Sequence, residues 1–333
     1  ARAMVDALFA RIAGDDDFEH TECLMAFGSN LPEQHPIIFW RLKMALEKRK
    51  FPVIVVDPRV TMFAQMADIH LPVKPGTDLV LLNSLAHVIL RENLADHAYI
   101  TAHTSGYEEF AALVGQYDPT TAARICGIDE DTIRNVARLY AKANAAMSIW
   151  TMGINQSTHG SDGVAAINNL NLITGNIGKP GSGINPLRGQ NNVQGGGDMG
   201  AIPNKLPGFQ DITNPAIRER FERHWGVKLQ PNVGLNLSQM LDAMSRGEMT
   251  ALYCIGENPA QSDADAHHVR EAIEKLDHFV VQEICMTKTA ELAHVLLPAA
   301  ASWCESEGTV TNSERRVQRC RKAVEPPPGA RDE

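Results

Sequence analysis

A chain of 333 residues, 44% hydrophobic and 21% charged, has the material for about two packed cores, since a domain runs to roughly 100–200 residues. Its formal net charge is −9 with no long basic run, which argues against an electrostatic nucleic-acid binder. No stretch reaches the roughly 18 apolar residues that span a bilayer, so no direct membrane insertion is expected.

The chain opens at Ala1 inside an amphipathic helical pattern and closes just after Pro326-Pro327-Pro328-Gly329, so both ends read as cuts, and the lack of a signal peptide in it says little about targeting. None of the six cysteines, Cys23, Cys126, Cys254, Cys285, Cys304 and Cys320, stands in a C-x-x-C pair. A zinc or iron–sulfur site inside this chain is therefore not expected, nor a disulfide framework. Cys23 and Cys254 sit in apolar runs and read as small core hydrophobes.

One module occurs twice. Cys23–Phe27 reads as a buried strand ending at Gly28-Ser29-Asn30; a helix is predicted from about Pro36 to Lys48; Phe51–Val56 is a second strand ending at Asp57-Pro58-Arg59; after Thr61 comes the short run Ala67–Pro72. The second copy runs Ala251–Ile255, Gly256-Glu257-Asn258-Pro259, a helix from about Ala264 to Leu276, Phe279–Val281 ending at Gln282-Glu283, then, after Thr287, Ala293–Pro298. Alternating strands and helices predict an α/β fold with doubly wound, mainly parallel sheets. Ligands of such sheets bind beyond the carboxyl ends of the strands, where Gly28, Asp57, Gly256 and Gln282 fall. Neither loop carries G-x-G-x-x-G or a P-loop, which disfavours ordinary NAD or ATP binding. Two matched half-sites suggest one ligand with two nucleotide-like arms, or two similar ligands.

Between the copies, Gly175–Gly200 is rich in Gly and Asn, with Arg188 among carboxamides. Carboxamides match hydrogen-bond patterns of heterocycles, Arg forks onto oxyanions, and glycines allow close approach, so this reads as a ligand-lining loop rather than a linker.

The run Asn185-Pro186-Leu187-Arg188-Gly189-Gln190-Asn191-Asn192-Val193-Gln194-Gly195, followed by Asp198-Met199-Gly200-Ala201, resembles the signature loop of formate dehydrogenase catalytic subunits, in the molybdopterin oxidoreductase family. The likeness continues at Met152-Gly153 through Thr158-His159-Gly160, at Leu172–Gly178, Asp57-Pro58-Arg59, Lys74–Asp78, Gly256–Pro259, Thr287–Ala290 and Glu305–Thr309. Where many relatives have Cys before Asp-Met-Gly, this chain has Gly197.

The resemblance implies two related α/β domains holding molybdenum or tungsten between two molybdopterin guanine dinucleotides. The first is expected at residues 1–190 and most of the second at 191–333, the rest lying upstream. A [4Fe-4S] domain, the metal-ligating Cys or selenocysteine and a C-terminal β-barrel-like domain are expected outside this chain, so no metal ligand is expected within it and the piece alone is expected to be inactive. Arg188 is the implied clamp on formate and His159 a second candidate at the catalytic site, unless its ring merely packs beside the helix starting near Ser161. Gln190 is the implied pterin contact, and Asp57, Arg59 and Asp78 are the implied guanosine and phosphate contacts, although Asp78 also reads as the N-cap of a helix through Leu79–Leu90. The remaining expected cofactor contacts are Gly28, Ser29, Asn30, Pro58, Gly76, Met152, Gly153, Gln156, Gly256, Glu257, Asn258, Gln282 and Thr287. His35 and Glu33 read as structural or supporting residues.

The implied reaction interconverts formate and carbon dioxide, with electrons leaving through iron–sulfur or diaphorase subunits. A cytoplasmic or a periplasmic setting would fit. The alternatives are a nitrate reductase on the same scaffold, or a non-catalytic cofactor scaffold in an electron-transfer complex.

Overall fold

The computed structural model describes residues 15–312 and 316–332, so the amphipathic pattern at residues 1–14 lies outside the described residues. The chain groups into two compact units, Ala1–Gly189 and Gln190–Glu333.

The first unit is built on a five-stranded parallel sheet of β1 (Cys23–Phe27), β2 (Val53–Val56), β3 (Ile69–Leu71), β4 (Ala146–Trp150) and β5 (Gly183–Pro186). The order is β3-β2-β1-β4-β5, so the winding reverses between β1 and β4. The unbroken apolar runs follow from burial on both faces. Cys23, Met25 and Phe27 point into one core, shared with the helices Asp78–Arg91, Glu130–Lys142 and Gly160–Ile173; Leu24 and Ala26 point into another, shared with the helix Pro36–Lys48.

Local chemistry sets the helices. Pro36 begins its helix at a position where a missing N–H costs nothing, and Lys48 lies in the last turn, favourable to the helix dipole. Asp129 caps Glu130–Lys142 by accepting from the Thr132 N–H at 3.0 Å, and Ile133, Val136, Ala137 and Tyr140 form its buried stripe. The Tyr140 hydroxyl is fully buried but satisfied: it lies 2.8 Å from both Ser148 Oγ on β4 and Asn171 Oδ1, while Asn171 Nδ2 donates back to Ser148 Oγ at 3.0 Å.

The second unit opens with the short helix Val193–Asp198, followed by the antiparallel pair β6 (Lys205–Leu206) and β7 (Gln210–Asp211). Its main sheet is parallel, of β8 (Ala251–Ile255), β9 (His278–Glu283) and β10 (Val295–Pro298), in the order β10-β9-β8. A hairpin of β11 (Gly308–Thr311) and β12 (Val317–Cys320) follows. One face of the main sheet packs on the helices Leu237–Ser245 and Ala266–Glu274 through Met244, Cys254, Val269, Ala272, Ile273 and Phe279.

The two modules correspond residue for residue at their carboxyl ends. Gly28 and Gly256 follow β1 and β8, both at positive φ (51° and 60°), and their N–H groups donate to Val56 O and Gln282 O at 2.9 and 3.0 Å. They differ at their flanks: β1 is paired on both sides, whereas β8 pairs only with β9 among the described residues, and Tyr253 and Ile255 on its other face are exposed.

Candidate functional site

In a doubly wound sheet the ligand crevice opens beyond the carboxyl ends of the two strands where the winding reverses. Here those strands are β1 and β4, and their loops meet. Thr151 Oγ1 donates to the Gly28 carbonyl at 2.5 Å, and the Gly153 N–H approaches the same oxygen at 3.3 Å. A Cβ on Gly153 would lie 2.5 Å from the Gly28 Cα, so the contact requires glycine. Met152, exposed, opens the short helix Met152–Asn155, and Gln156, also exposed, closes it.

Beside that contact, Ser29 and Asn30 are buried, yet Ser29 Oγ and Asn30 Oδ1 have no hydrogen-bond partner. Buried polar atoms are ordinarily paired, so two orphans in one loop fit a polar ligand that supplies the missing partners. At the tip of β2, Asp57 is buried; its Oδ1 accepts from the Arg59 N–H at 2.8 Å and lies 4.0 Å from the exposed Arg59 guanidinium. Pro58 between them is exposed.

Asp78 faces the same region. Burial first, and the Asp57 charge as a further cause, push its carboxyl above the ordinary range. Asp78 is the first residue of its helix and Thr77 occupies the N-cap, which corrects the alternative reading of Asp78 as the cap. Gly76 makes the preceding turn at φ 82°. A buried and a half-buried carboxylate close enough to feel one another's charge suit a ligand edge rich in hydrogen-bond donors.

Arg188 lies two residues beyond β5. Pro186 is in register with Trp150, the Leu187 N–H donates to Trp150 O at 3.0 Å, and the carbonyl of Arg188 itself receives a bond from His35 Nε2 at 2.7 Å. The Arg188 side chain is exposed. Gln190, the first residue of the second unit, is also exposed. His159 precedes the helix that starts at Gly160, one residue earlier than expected; its ring is exposed and stands 3.8 Å from the Asp162 carboxylate.

In the second unit, Gly256, Glu257 and Asn258 form the loop after β8. Asn258 Oδ1 accepts from the N–H and hydroxyl of Thr289, at 3.1 and 2.9 Å, so the atom that is orphaned at Asn30 is satisfied here. The Thr287 hydroxyl is occupied locally, accepting from the Ala290 N–H at 3.1 Å, three residues on, as Thr61 accepts from Ala64 in the first module.

Strand β9 runs two residues past the expected Phe279–Val281, so Gln282 falls inside it. Gln282 lies within β9, in register with Ile255 as Val56 is with Phe27, and its buried side chain accepts from the Tyr253 hydroxyl and donates to the carbonyls of Arg331 and Asp332. The counterpart of Asp57 is Glu283, whose carboxylate accepts from the next residue's N–H at 2.7 Å. The register of the two apolar strands, counted from Gly28 and Gly256, contained that signal.

Asn192, to which the sequence alone assigns no role, holds the loop in place. Its amide donates to Thr309 O at 3.2 Å and accepts from the Thr311 N–H at 2.9 Å, clasping the loop to β11. Any Cβ on Gly195 would overlap that amide. Gly197, by contrast, faces open space. Among the described residues no cluster of three or more His, Cys, Asp or Glu is arranged to hold a metal ion, and no helix is long and apolar enough to cross a membrane.

The family model described as molybdopterin oxidoreductase matches residues 6–333. The chain belongs to the molybdopterin oxidoreductase family. It is 47% identical over 312 residues to the F420-dependent formate dehydrogenase subunit alpha of Methanocaldococcus jannaschii, covering 94% of this chain and 46% of that one. It is 42% identical over 312 residues to formate dehydrogenase H of Escherichia coli, covering 93% and 43%. A nitrate reductase of Synechocystis is 38% identical over 319 residues, covering 94% and 44%. The chain thus spans less than half the length of these relatives. Among solved structures, acetylene hydratase from Pelobacter acetylenicus superposes with a TM-score of 0.74 at 25% identity, over 98% of this chain and 49% of that one. The likeness supports the α/β fold with parallel sheets, and the family implies a molybdenum- or tungsten-pterin cofactor.

Proposed function

We propose that this chain is the cofactor-holding part of a formate dehydrogenase catalytic subunit, and that Arg188 binds the formate carboxylate. The observation that carries the reading is the placement of Arg188 at the carboxyl end of β5, on backbone tied to β4 and to His35, in a relative of proteins named formate dehydrogenase. A guanidinium fork matches a carboxylate in two parallel hydrogen bonds and fixes its orientation.

The residues present fit a pterin dinucleotide. In the first unit the orphaned Ser29 Oγ and Asn30 Oδ1 would bond its polar groups, and the Asp57 and Asp78 carboxylates would accept from the adjacent N–H donors of guanine. In the second unit Gly256, Glu257 and Asn258 would play the part of Gly28, Ser29 and Asn30, with Glu283 in place of Asp57. Gln190 and Gln156 would bond pterin edges. The chemistry such a metal–pterin group supplies is acceptance of the two electrons released when formate becomes carbon dioxide. Arg188 holds the substrate against that transfer and stabilises its negative charge, while partner iron–sulfur subunits carry the electrons away.

The test uses the full-length enzyme. Arg188→Lys keeps the charge and loses the fork, so formate oxidation is expected to fall by about a hundredfold to a thousandfold. Metal content and melting temperature should stay near those of the parent. Near-normal kcat/KM with full metal loading would eliminate Arg188 as the clamp. The Synechocystis relative motivates a nitrate-reduction assay alongside, and activity there without formate oxidation would move the reading to nitrate.

A further inference from the structure

We propose that His35 is a positioning residue, whose Nε2–H holds the Arg188 backbone so that the guanidinium meets its oxyanion substrate in one place; the proposal rests on the substrate role of Arg188 given above. His35 Nε2 lies 2.7 Å from the Arg188 carbonyl oxygen. A carbonyl only accepts, so Nε2 carries the hydrogen. The other ring nitrogen, Nδ1, is buried and has no hydrogen-bond partner. The polar capacity of the ring is therefore directed to the Arg188 loop.

Both ends of this bond are anchored differently. His35 is the hinge between the helices Leu31–Gln34 and Pro36–Lys48: its N–H donates to Leu31 O at 2.9 Å and its carbonyl accepts from the Phe39 N–H at 3.0 Å. Phe39 in turn packs edge-on against Phe63, ring centroids 6.3 Å apart, which ties the helix to the core. Arg188, on the other hand, lies beyond the sheet ladder, just before the chain leaves the first unit at Gly189. The bond from His35 extends the rigid part of the unit to the residue that bears the guanidinium.

It also joins the loop region after β1, where Ser29 Oγ and Asn30 Oδ1 are buried without a protein partner, to the loop after β5. His35 reaches the backbone of Arg188 and not its side chain, so it acts through placement. A displacement of about 1 Å in a substrate-orienting group can cost roughly a hundredfold in rate.

The test compares His35→Gln with His35→Asn in the full-length enzyme. A Gln amide N–H reaches about as far as Nε2, whereas Asn stops at the level of Nδ1. The Asn variant is expected to lose about tenfold to a hundredfold in kcat/KM for formate per bound metal, and the Gln variant to stay within about twofold of the parent. Amide hydrogen exchange over Leu187–Gly189 should accelerate in the Asn variant alone. Equal rates and equal exchange in the two variants, whether normal or impaired, overturn the proposal. So does an equal fall in metal content or melting temperature in both, which assigns His35 to cofactor retention or folding. Arg188→Lys, run in parallel, separates the two ideas: normal turnover there sinks the substrate reading, while unchanged exchange in His35→Asn sinks the anchor.

Discussion

Gly28 and Gly153 touch backbone to backbone, so closely that a Cβ on either would lie 2.5–2.6 Å from the other's Cα. The contact joins the loops after β1 and β4, the two strands on either side of the winding reversal. No rotamer relieves a clash between a Cβ and backbone, so Gly153→Ala must push the loops apart. Overpacking of this kind costs about 1–3 kcal/mol. For a unit of this size that lowers the melting temperature by roughly 2–12 °C. Gly197→Ala is the control: it faces open space within a helix and should leave stability unchanged or raise it by about 0.5–1 kcal/mol. Equal melting temperatures for the two variants would show that the loops yield freely.

Tyr140→Phe removes the hydroxyl that Ser148 and Asn171 share and leaves Asn171 Oδ1 buried without that donor. Deleting one partner of a buried polar group costs about 1–3 kcal/mol. Denaturant titration of the variant should show a lower midpoint with an unchanged slope. Burial drives the Tyr140 phenol far above its ordinary value, so the loss should be the same at every pH around neutrality. A midpoint equal to that of the parent would mean that the network contributes nothing.

Asp78 gives stability a pH dependence of known sign. Its carboxyl is raised in the folded protein by burial and then by the Asp57 charge, whereas an unfolded chain ionises near 3.8. A raised folded value contributes stability that is fully present below the unfolded value and is lost as pH rises through the folded one. Asp78→Asn cannot ionise, so its advantage over the parent should grow across that window and then level off. Denaturation midpoints from about pH 4 to about pH 8 measure it. A difference that stays flat with pH would rule out the raised carboxyl.

The six cysteines should separate by reactivity. Burial pushes the Cys23 thiol up to about 12 and the Cys254 thiol up to about 11, and raises Cys126 as well, while Cys285 is exposed. The thiolate is the reactive form, so alkylation of the native protein at about pH 8 should label Cys285 well before these three. Mass mapping of the modified peptides reads the order directly. Labelling of Cys23 at the rate of Cys285 would contradict the buried placement.

Much of this was legible in the sequence because the strands carry it. Cys23–Phe27 and Ala251–Ile255 are short apolar runs closed by glycine, a strand pattern that the first fulfils by burial on both faces and the second by packing on one face only. The proximity of distant residues was not legible. Nothing local to Gly153 announces Gly28, and nothing near His35 announces Arg188, since both meetings depend on strand order. The expected strand Phe279–Val281 stops short of Gln282 and Glu283 because a polar residue does not mark the last ladder position of a strand; the Gly256 N–H bond to Gln282 O does. Asp78 admits a second reading as a cap because it opens an apolar helix, but Thr77 takes that place.

The bare side of β8 bears on how the polypeptide behaves in solution. A parallel strand whose outer edge pairs with no other strand among the described residues, flanked by Tyr253 and Ile255, is a template onto which any extended segment can be laid. Concentrated preparations of residues 1–333 should therefore self-associate through this strand, reversibly at first and then as precipitate. Ile255→Lys, which plants a charge on the template, should raise the concentration at which light scattering begins, without shifting the melting temperature of the dilute protein.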